Sequence, residues 1–208
     1  MVTTKNLQFA YVGGPQFTFP DITLQKADHL LILGPSGVGK TTLLHLLSGI
    51  LPPSQGTISI DDTPITDLRR KALDRFRGTH VGIVFQQYHF IKSLTVVENL
   101  KLRQGNPKDA SEKARRQALA ERLGLEALLS KKVTQLSQGQ QQRLSIALGL
   151  IHEPKVIFAD EPTSNLDDTN CERVIQLLKE EAAICKSSLV IITHDHRVTS
   201  HFSNQIRL

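Results

Sequence analysis

Two periodicities divide this chain. Over residues 7–24 the apolar positions alternate with polar ones: Leu7, Phe9 and Tyr11, then Phe17, Phe19, Ile22 and Leu24. A two-residue period marks strands with one buried face, and Gly13-Gly14-Pro15 marks a turn between them, so antiparallel strands are predicted. Thr57-Ile58-Ser59-Ile60 before Asp61-Asp62 predicts a further strand and turn. Beyond the N-terminal stretch the pattern changes to near-continuous apolar runs. Four stand out: Leu30-Leu31-Ile32-Leu33, Val81-Gly82-Ile83-Val84-Phe85, Val156-Ile157-Phe158-Ala159 and Leu189-Val190-Ile191-Ile192. Short runs without polar alternation suit a parallel sheet covered on both faces. Helical patterns separate them. Cys171, Val174, Ile175, Leu178 and Ala182 form an i, i+3, i+4, i+7 stripe, and Leu144, Ala147, Leu148 and Ile151 form another. Residues 107–124 predict a helix that is polar on most sides, with Gly124 as its stop. The alternation of strand and helix predicts an α/β fold, a doubly wound sheet with helices on both faces.

Composition narrows the class. A chain of 208 residues is one domain, or one domain with small appended lobes, and can bury a full core. No apolar stretch approaches the about 20 residues of a membrane span. Met1-Val2-Thr3-Thr4-Lys5 lacks the apolar core of a signal peptide, so a cytoplasmic location is expected. Cys171 and Cys185 have no CxxC spacing, and reduced structural thiols are expected rather than a zinc site or a disulfide. The net charge of +5 is compatible with nucleic acid or an anionic membrane. Its densest clusters are Arg69-Arg70-Lys71 with Arg75 and Arg77, and Lys113 with Arg115-Arg116. Both mix with acidic residues on helical patterns and neither is a polybasic arm, so a solvated face is expected and no nucleic acid.

Chemistry collects at the ends of the apolar runs, where open α/β sheets bind their ligands. The first run leads into Gly34-Pro35-Ser36-Gly37-Val38-Gly39-Lys40-Thr41, followed by an apolar helix pattern from Thr42. Strand, glycine-rich turn and helix form the context of a phosphate-binding P-loop. Backbone N–H groups of residues 37–42 turn inward as an anion nest, and the helix start adds positive potential. Lys40 is placed for the β- and γ-phosphates and the Thr41 hydroxyl for Mg²⁺. The second run ends in Gln86, the third in Asp160-Glu161, the fourth in Thr193-His194-Asp195. Asp160 suits a Mg²⁺-holding Walker B aspartate. Glu161 suits the base that orients or deprotonates the attacking water, and His194 a donor toward the γ-phosphate and Glu161. Ser137-Gln138-Gly139-Gln140 is a capping box that opens a helix. A well-capped helix start explains it alone. It is also a second anion site, which suggests the phosphate of another copy.

These segments stand in a specific order: the P-loop, Gln86, Leu136-Ser137-Gln138-Gly139-Gln140 with Gln141-Gln142-Arg143, the run through Asp160-Glu161-Pro162-Thr163, Ser164-Asn165-Leu166-Asp167, then His194. In that order the chain resembles the ATP-binding cassette (ABC) family from about Leu7 to its end. The resemblance implies a P-loop NTPase (RecA-like) parallel-sheet core with an N-terminal antiparallel β-lobe and an inserted α-helical lobe. It implies one domain over 1–208, with the β-lobe and nucleotide core at about 1–86 and 154–208 and the helical lobe at about 87–153. It implies ATP and Mg²⁺ as cofactors. Lys40, Thr41 and Thr42 then resemble the phosphate and Mg²⁺ ligands, and Gln86 the glutamine that senses Mg²⁺ and the transport partner. Ser137 and Gly139, with Gln140 beside them, resemble the signature that caps the γ-phosphate across a head-to-tail dimer. Asp167 resembles the aspartate at that dimer seam, His194 the switch histidine, and Tyr11 the aromatic stacked on adenine. Strand packing is the plainer reading of Tyr11. Gln138 stands where the family's signature has its first glycine, while the serine and the second glycine remain.

The resemblance further implies the ATPase subunit of a transporter whose transmembrane permease subunits are separate chains, peripheral on the inner face of the membrane. Gln87-Tyr88-His89-Phe90-Ile91, apolar and aromatic in a loop, is the candidate groove for a partner helix, with local packing as the alternative. The segment from Val84 through Asn99 resembles the lipoprotein-release, macrolide-export and cell-division group. The alternatives are non-transport ABC ATPases of DNA repair, chromosomes or ribosomes. The first two insert long coiled coils, and no heptad run occurs here. The third usually carry two cassettes.

Overall fold

The computed structural model describes residues 1–104, 110–164 and 166–208. Strands β1 (Val2–Ala10), β2 (Gln16–Thr18), β3 (Thr23–Leu24) and β4 (His29–Leu33) precede helix α1 (Lys40–Leu47). Strands β5 (Gln55–Ile60) and β6 (Thr63–Pro64), helix α2 (Arg70–His80) and strand β7 (Val81–Val84) follow. Helices α3 (Val96–Arg103), α4 (Ala110–Arg122) and α5 (Gln138–Leu150) lead to β8 (Val156–Asp160), α6 (Asp168–Cys185), β9 (Ser188–Thr193) and β10 (Gln205–Arg207). The opening of the helix predicted over residues 107–124, including Pro107, lies outside the described residues, as does Asn165.

The antiparallel sheet runs β2-β1-β5-β6, with β3 also on β1. Its alternation contains a phase shift. Val2 and Thr4 are buried, then Leu7 and Phe9, and the register with β5 shifts between Lys5 and Gln8. Asn6 takes φ 51° there. A bulge resets the parity of a strand without turning its apolar face to solvent. Gly56 opposite, at φ 94°, cannot be replaced, because a Cβ would stand 2.5 Å from the carbonyl oxygens of both Lys5 and Asn6.

The four apolar runs are four neighbours in a parallel sheet of order β10-β4-β9-β8-β7. β7 stops at Val84, one residue before the predicted end at Phe85. β10 is an addition to the prediction: three residues, two of them exposed and polar, carry no apolar signal, and only pairing with β4 makes them a strand. Alternate side chains go to opposite faces. Leu31, Leu33, Ile157, Ala159, Leu189 and Ile191 pack with α5 and α6. Leu30, Ile32, Phe158, Val190 and Ile192 pack with α1 and the antiparallel sheet. Helix α5 lies hard against β7, since a Cβ on Gly82 would collide with the Gly149 carbonyl oxygen. That contact fixes where the capped start of α5 points. On the other side of α6, buried Glu181 accepts two bonds from Arg122, at 2.7 and 3.0 Å, tying α4 to α6. Gly124, at φ 62°, ends the turn after α4 as its sequence predicts.

Cys171 and Cys185 are free thiols. No helix among the described residues is long and apolar enough to cross a membrane.

One buried group gives the fold a pH dependence. His152 Nε2 lies between the Val81 carbonyl at 3.0 Å and Arg103 Nη2 at 3.1 Å, and its buried Nδ1 has no partner among the described residues. Burial first, then the Arg103 and His80 charges, hold its pKa down at about 4. The unfolded chain therefore binds a proton, between its ordinary pKa and pH 4, that the folded chain refuses. This stability is complete above the ordinary histidine pKa and is lost as pH falls toward 4. Denaturant unfolding should show about 2 kcal/mol less stability at pH 5 than at pH 7 from this group. In His152→Gln that part of the difference should disappear; an unchanged pH slope contradicts the assignment.

Candidate nucleotide site

The turn after β4 is built by glycines at positive φ, Gly37 at 83° and Gly39 at 101°. A Cβ on Gly39 would press on Phe17 at 2.8 Å, so the loop can close on the β-lobe only with glycine there. α1 starts at Lys40, two residues before the predicted Thr42. Ser36, Gly37, Gly39, Lys40, Thr41 and Thr42 line a cleft of about 300 Å³ together with Phe17, Gln86, Glu161 and His194. The ends of β4, β7, β8 and β9 thus meet in one place, as the sequence predicts.

Lys40 is buried, and its ammonium donates to the carbonyls of Gly34 (2.8 Å) and Pro35 (3.0 Å). It also stands 3.5 Å from Glu161 Oε1. The Thr41 hydroxyl donates to Asp160 Oδ1 at 3.4 Å. Burial is the main cause that raises the Asp160 pKa. Such a carboxylate, paired with a hydroxyl, is an all-oxygen donor set suited to a hard divalent cation. Glu161 occupies φ 47°, a left-handed conformation disfavoured for its side chain. Its Oε2 accepts from Thr193 Oγ1 (2.7 Å) and the His194 N–H (3.3 Å), and its Oε1 from His194 Nδ1 (2.9 Å). Burial raises its pKa, but the donors of His194 and Thr193 together outweigh it, and the net direction is down. Glu161 is therefore an ionised, oriented carboxylate at neutral pH.

Tyr11 meets this cleft from the β-lobe. Its hydroxyl is 3.1 Å from Thr42 Oγ1, and its half-exposed ring stands edge-on to Phe9 and Phe17. Gln86 lies in the exposed bend after β7. Val38 packs inward, where a Cβ on Gly34 would meet its Cγ1 at 2.9 Å.

Ser137, Gly139, Gln140 and Asp167 do not line this cleft. The capping box forms: Ser137 Oγ accepts from the Gln140 N–H at 3.3 Å, and Gln140 Oε1 from the Ser137 N–H at 2.9 Å. Gly139 and Asp167 line a separate depression of about 380 Å³ with Gln138, Arg143 and Arg173. Asp167 caps α6 by accepting from the Asn170 N–H at 2.8 Å. A Cβ on Gly139 would have nothing within 4 Å among the described residues.

Three residues join the site without a motif that marks them. Phe17 looked like one more strand aromatic, although two aromatics per strand beside the turn was a hint. Thr193 sits at the last position of β9, and its place beside His194 does not reveal that its hydroxyl holds Glu161. Gln142 donates to the Pro162 carbonyl at 2.7 Å and so ties α5 to the segment after Glu161, a contact visible only in three dimensions. The loop over residues 87–91 is both packed and open. Asn99, buried on α3, exchanges bonds with the Ile91 N–H (3.0 Å) and carbonyl (3.2 Å). Ile91 and Leu102 stay exposed beside a groove of about 340 Å³ that Phe85, His89, Phe90 and Leu148 also line.

The sequence pattern described as ABC transporter matches residues 19–164. The chain is 38% identical over 192 residues to the lipoprotein-releasing system ATP-binding protein LolD of Legionella pneumophila (strain Paris), covering 90% of this chain and 84% of that protein. It is 38% identical over 189 residues to the bacitracin export ATP-binding protein BceA of Halalkalibacterium halodurans, covering 89% of this chain and 74% of that protein. Among solved structures it is similar to a dimeric post-hydrolysis state of the ATP-binding cassette MJ0796 bound to ADP and Pi, with TM-score 0.88 and 32% identity, covering 100% of this chain and 94% of that one.

Proposed function

The chain belongs to the family of ABC transporter ATP-binding proteins, and on that premise we propose that it hydrolyses ATP between two copies of itself to drive export or extraction by separate transmembrane permease subunits. One observation carries the two-copy reading: Gly139 is a glycine that nothing among the described residues requires. It has no Cβ contact to avoid, and it opens a helix whose free N–H groups form an anion site. A capped helix start with no side chain at Gly139, held away from the chain's own P-loop, suits the γ-phosphate of ATP on a second copy.

In this reading the residues divide the work. Residues 34–42 cradle the phosphates, and Lys40 exchanges the Gly34 and Pro35 carbonyls for phosphate oxygens. Thr41 and Asp160, with Gln86 beside them, would hold Mg²⁺, which when bound neutralises phosphate charge. Glu161 takes the proton of the attacking water, and His194 holds Glu161 in place while facing the γ-phosphate. Tyr11 supports the adenine. Ser137, Gly139 and Gln140 of the second copy close the site, with Asp167 at the seam. The nucleotide core spans about 1–86 and 154–208 and the helical lobe about 87–153. The apolar groove at Ile91 and Leu102 receives the permease, and the chain works peripherally on the inner membrane face.

The test is recovery of the Glu161→Gln variant with ATP in mild detergent. An ATP-dependent dimer with a co-purifying membrane protein is the expected result. Recovery of ribosomes or DNA instead overturns the transport reading.

A further inference from the structure

We infer that Arg197 is a positioning residue that ties the exposed turn before α6 to Glu161 and His194, so that the hydrolytic carboxylate is held from the face where a second copy docks. The inference rests on the proposed hydrolytic dimer.

Arg197 lies three residues after His194, in the short 3-10 helix His196–His201. Its guanidinium grips Asp195 with two donors, Nε to Oδ1 at 2.9 Å and Nη2 to Oδ2 at 2.8 Å. Its third nitrogen, Nη1, donates to Asp168 Oδ1 at 2.6 Å and to the Leu166 carbonyl at 3.2 Å. Leu166 and Asp168 flank Asp167. One planar side chain therefore joins the loop after β8 to the loop after β9. The geometry also runs from surface to interior, because the Asp168 side chain is 89% exposed and that of Asp195 only 11%.

The connection continues inward without a gap. Asp195 Oδ2 accepts from Thr163 Oγ1 at 2.8 Å, which anchors it to the segment after Glu161. The Asp195 N–H donates to Thr193 Oγ1 at 3.0 Å, and the same hydroxyl donates to Glu161 Oε2 at 2.7 Å. Asp168, Arg197, Asp195, Thr193 and Glu161 thus form one hydrogen-bonded path. Its outer end flanks Asp167, which shares its depression with Gly139. A contact that shifts residues 166–168 must drag Arg197, and with it the backbone that presents His194 and the Thr193 hydroxyl. Only arginine has the fork to bind both carboxylates and the carbonyl at once.

The test is single-turnover and steady-state ATP hydrolysis by the full chain with Mg-ATP. Arg197→Ala is expected to lower kcat about tenfold, in the range that small misplacements of reacting groups cost. The KM for ATP should stay within about twofold, because residues 34–42 are untouched. Arg197→Lys should recover part of the loss, since an ammonium replaces one arm of the fork. Asp168→Ala cuts the outer link at an exposed side chain. It should lower kcat in the same direction, add little in combination with Arg197→Ala, and carry the test if Arg197→Ala does not fold. A wild-type kcat in both Arg197→Ala and Asp168→Ala, or a loss confined to KM, overturns the inference. Glu161→Gln measured alongside separates the two failures. If Glu161→Gln or the wild type contradicts hydrolysis at this site, the hydrolytic reading falls and the positioning role with it. If Glu161→Gln is inactive while the Arg197 and Asp168 variants run at wild-type rate, the positioning role alone is wrong.

Discussion

Glu161→Gln is expected to bind ATP as the wild type does and to turn it over about 10²–10⁴-fold more slowly, the usual worth of general-base assistance. That range corresponds to about 3–5 kcal/mol of transition-state stabilisation. The substitution is nearly isosteric. The glutamine carbonyl can still accept from the Thr193 hydroxyl and the His194 N–H, the bonds that now hold Oε2. The backbone at φ 47° is set by the chain around it, including the Glu161 N–H donating to the Ile192 carbonyl at 2.8 Å. What is lost is the proton acceptor. Lys40, 3.5 Å from Oε1, loses a charged neighbour but keeps the Gly34 and Pro35 carbonyls. ATP binding measured by calorimetry should therefore survive, and phosphate release should nearly stop. A rate within about tenfold of wild type would show that Glu161 is not the base.

Gly139→Leu should separate folding from function with opposite signs. Gly139 is exposed in the first turn of α5 and a Cβ there meets nothing within 4 Å. Replacing glycine in a helix by a good helix former stabilises by a few tenths to about 1 kcal/mol. The variant should unfold at the same or a slightly higher temperature. Yet the new side chain fills the surface that a second copy's phosphates must approach. In the Glu161→Gln background, ATP-dependent dimerisation should weaken by more than about thirtyfold, the class of a central interface residue. Sedimentation with saturating Mg-ATP reads this directly. A Gly139→Leu chain that still dimerises with ATP removes the main support for a shared site.

Much of this architecture was legible in the chain. The apolar runs mark the four neighbouring strands β4, β9, β8 and β7 because a strand buried on both faces leaves no room for polar alternation. The P-loop was legible because its glycines, lysine and threonine act within eight consecutive residues, and so was the Ser137–Gln140 box, whose bonds span one helical turn. The apolar pattern begins only inside the turn, so it predicts the helix from Thr42, two residues after its observed start at Lys40. Asp167 has a local partner in Asn170, three residues on, whereas Tyr11 meets Thr42 across 31 residues, which spacing does not show.

The sequence by itself determined the four apolar strands, the phosphate loop, and the polar residues that wait at the strand ends, since each is a matter of neighbours along the chain. Only the tertiary structure decided which of them meet. Strand order places β9 between β4 and β8, so Thr193 and His194 reach a glutamate 32 and 33 residues away. It makes a strand of polar β10, puts Lys40 on its own loop carbonyls, and runs Arg197 across to Asp168. It also keeps Gly139 and Asp167 apart from the P-loop cleft. These are pairings between segments far apart in the chain. Their partners are chosen by the order and stacking of whole elements, and single residues carry no mark of that order.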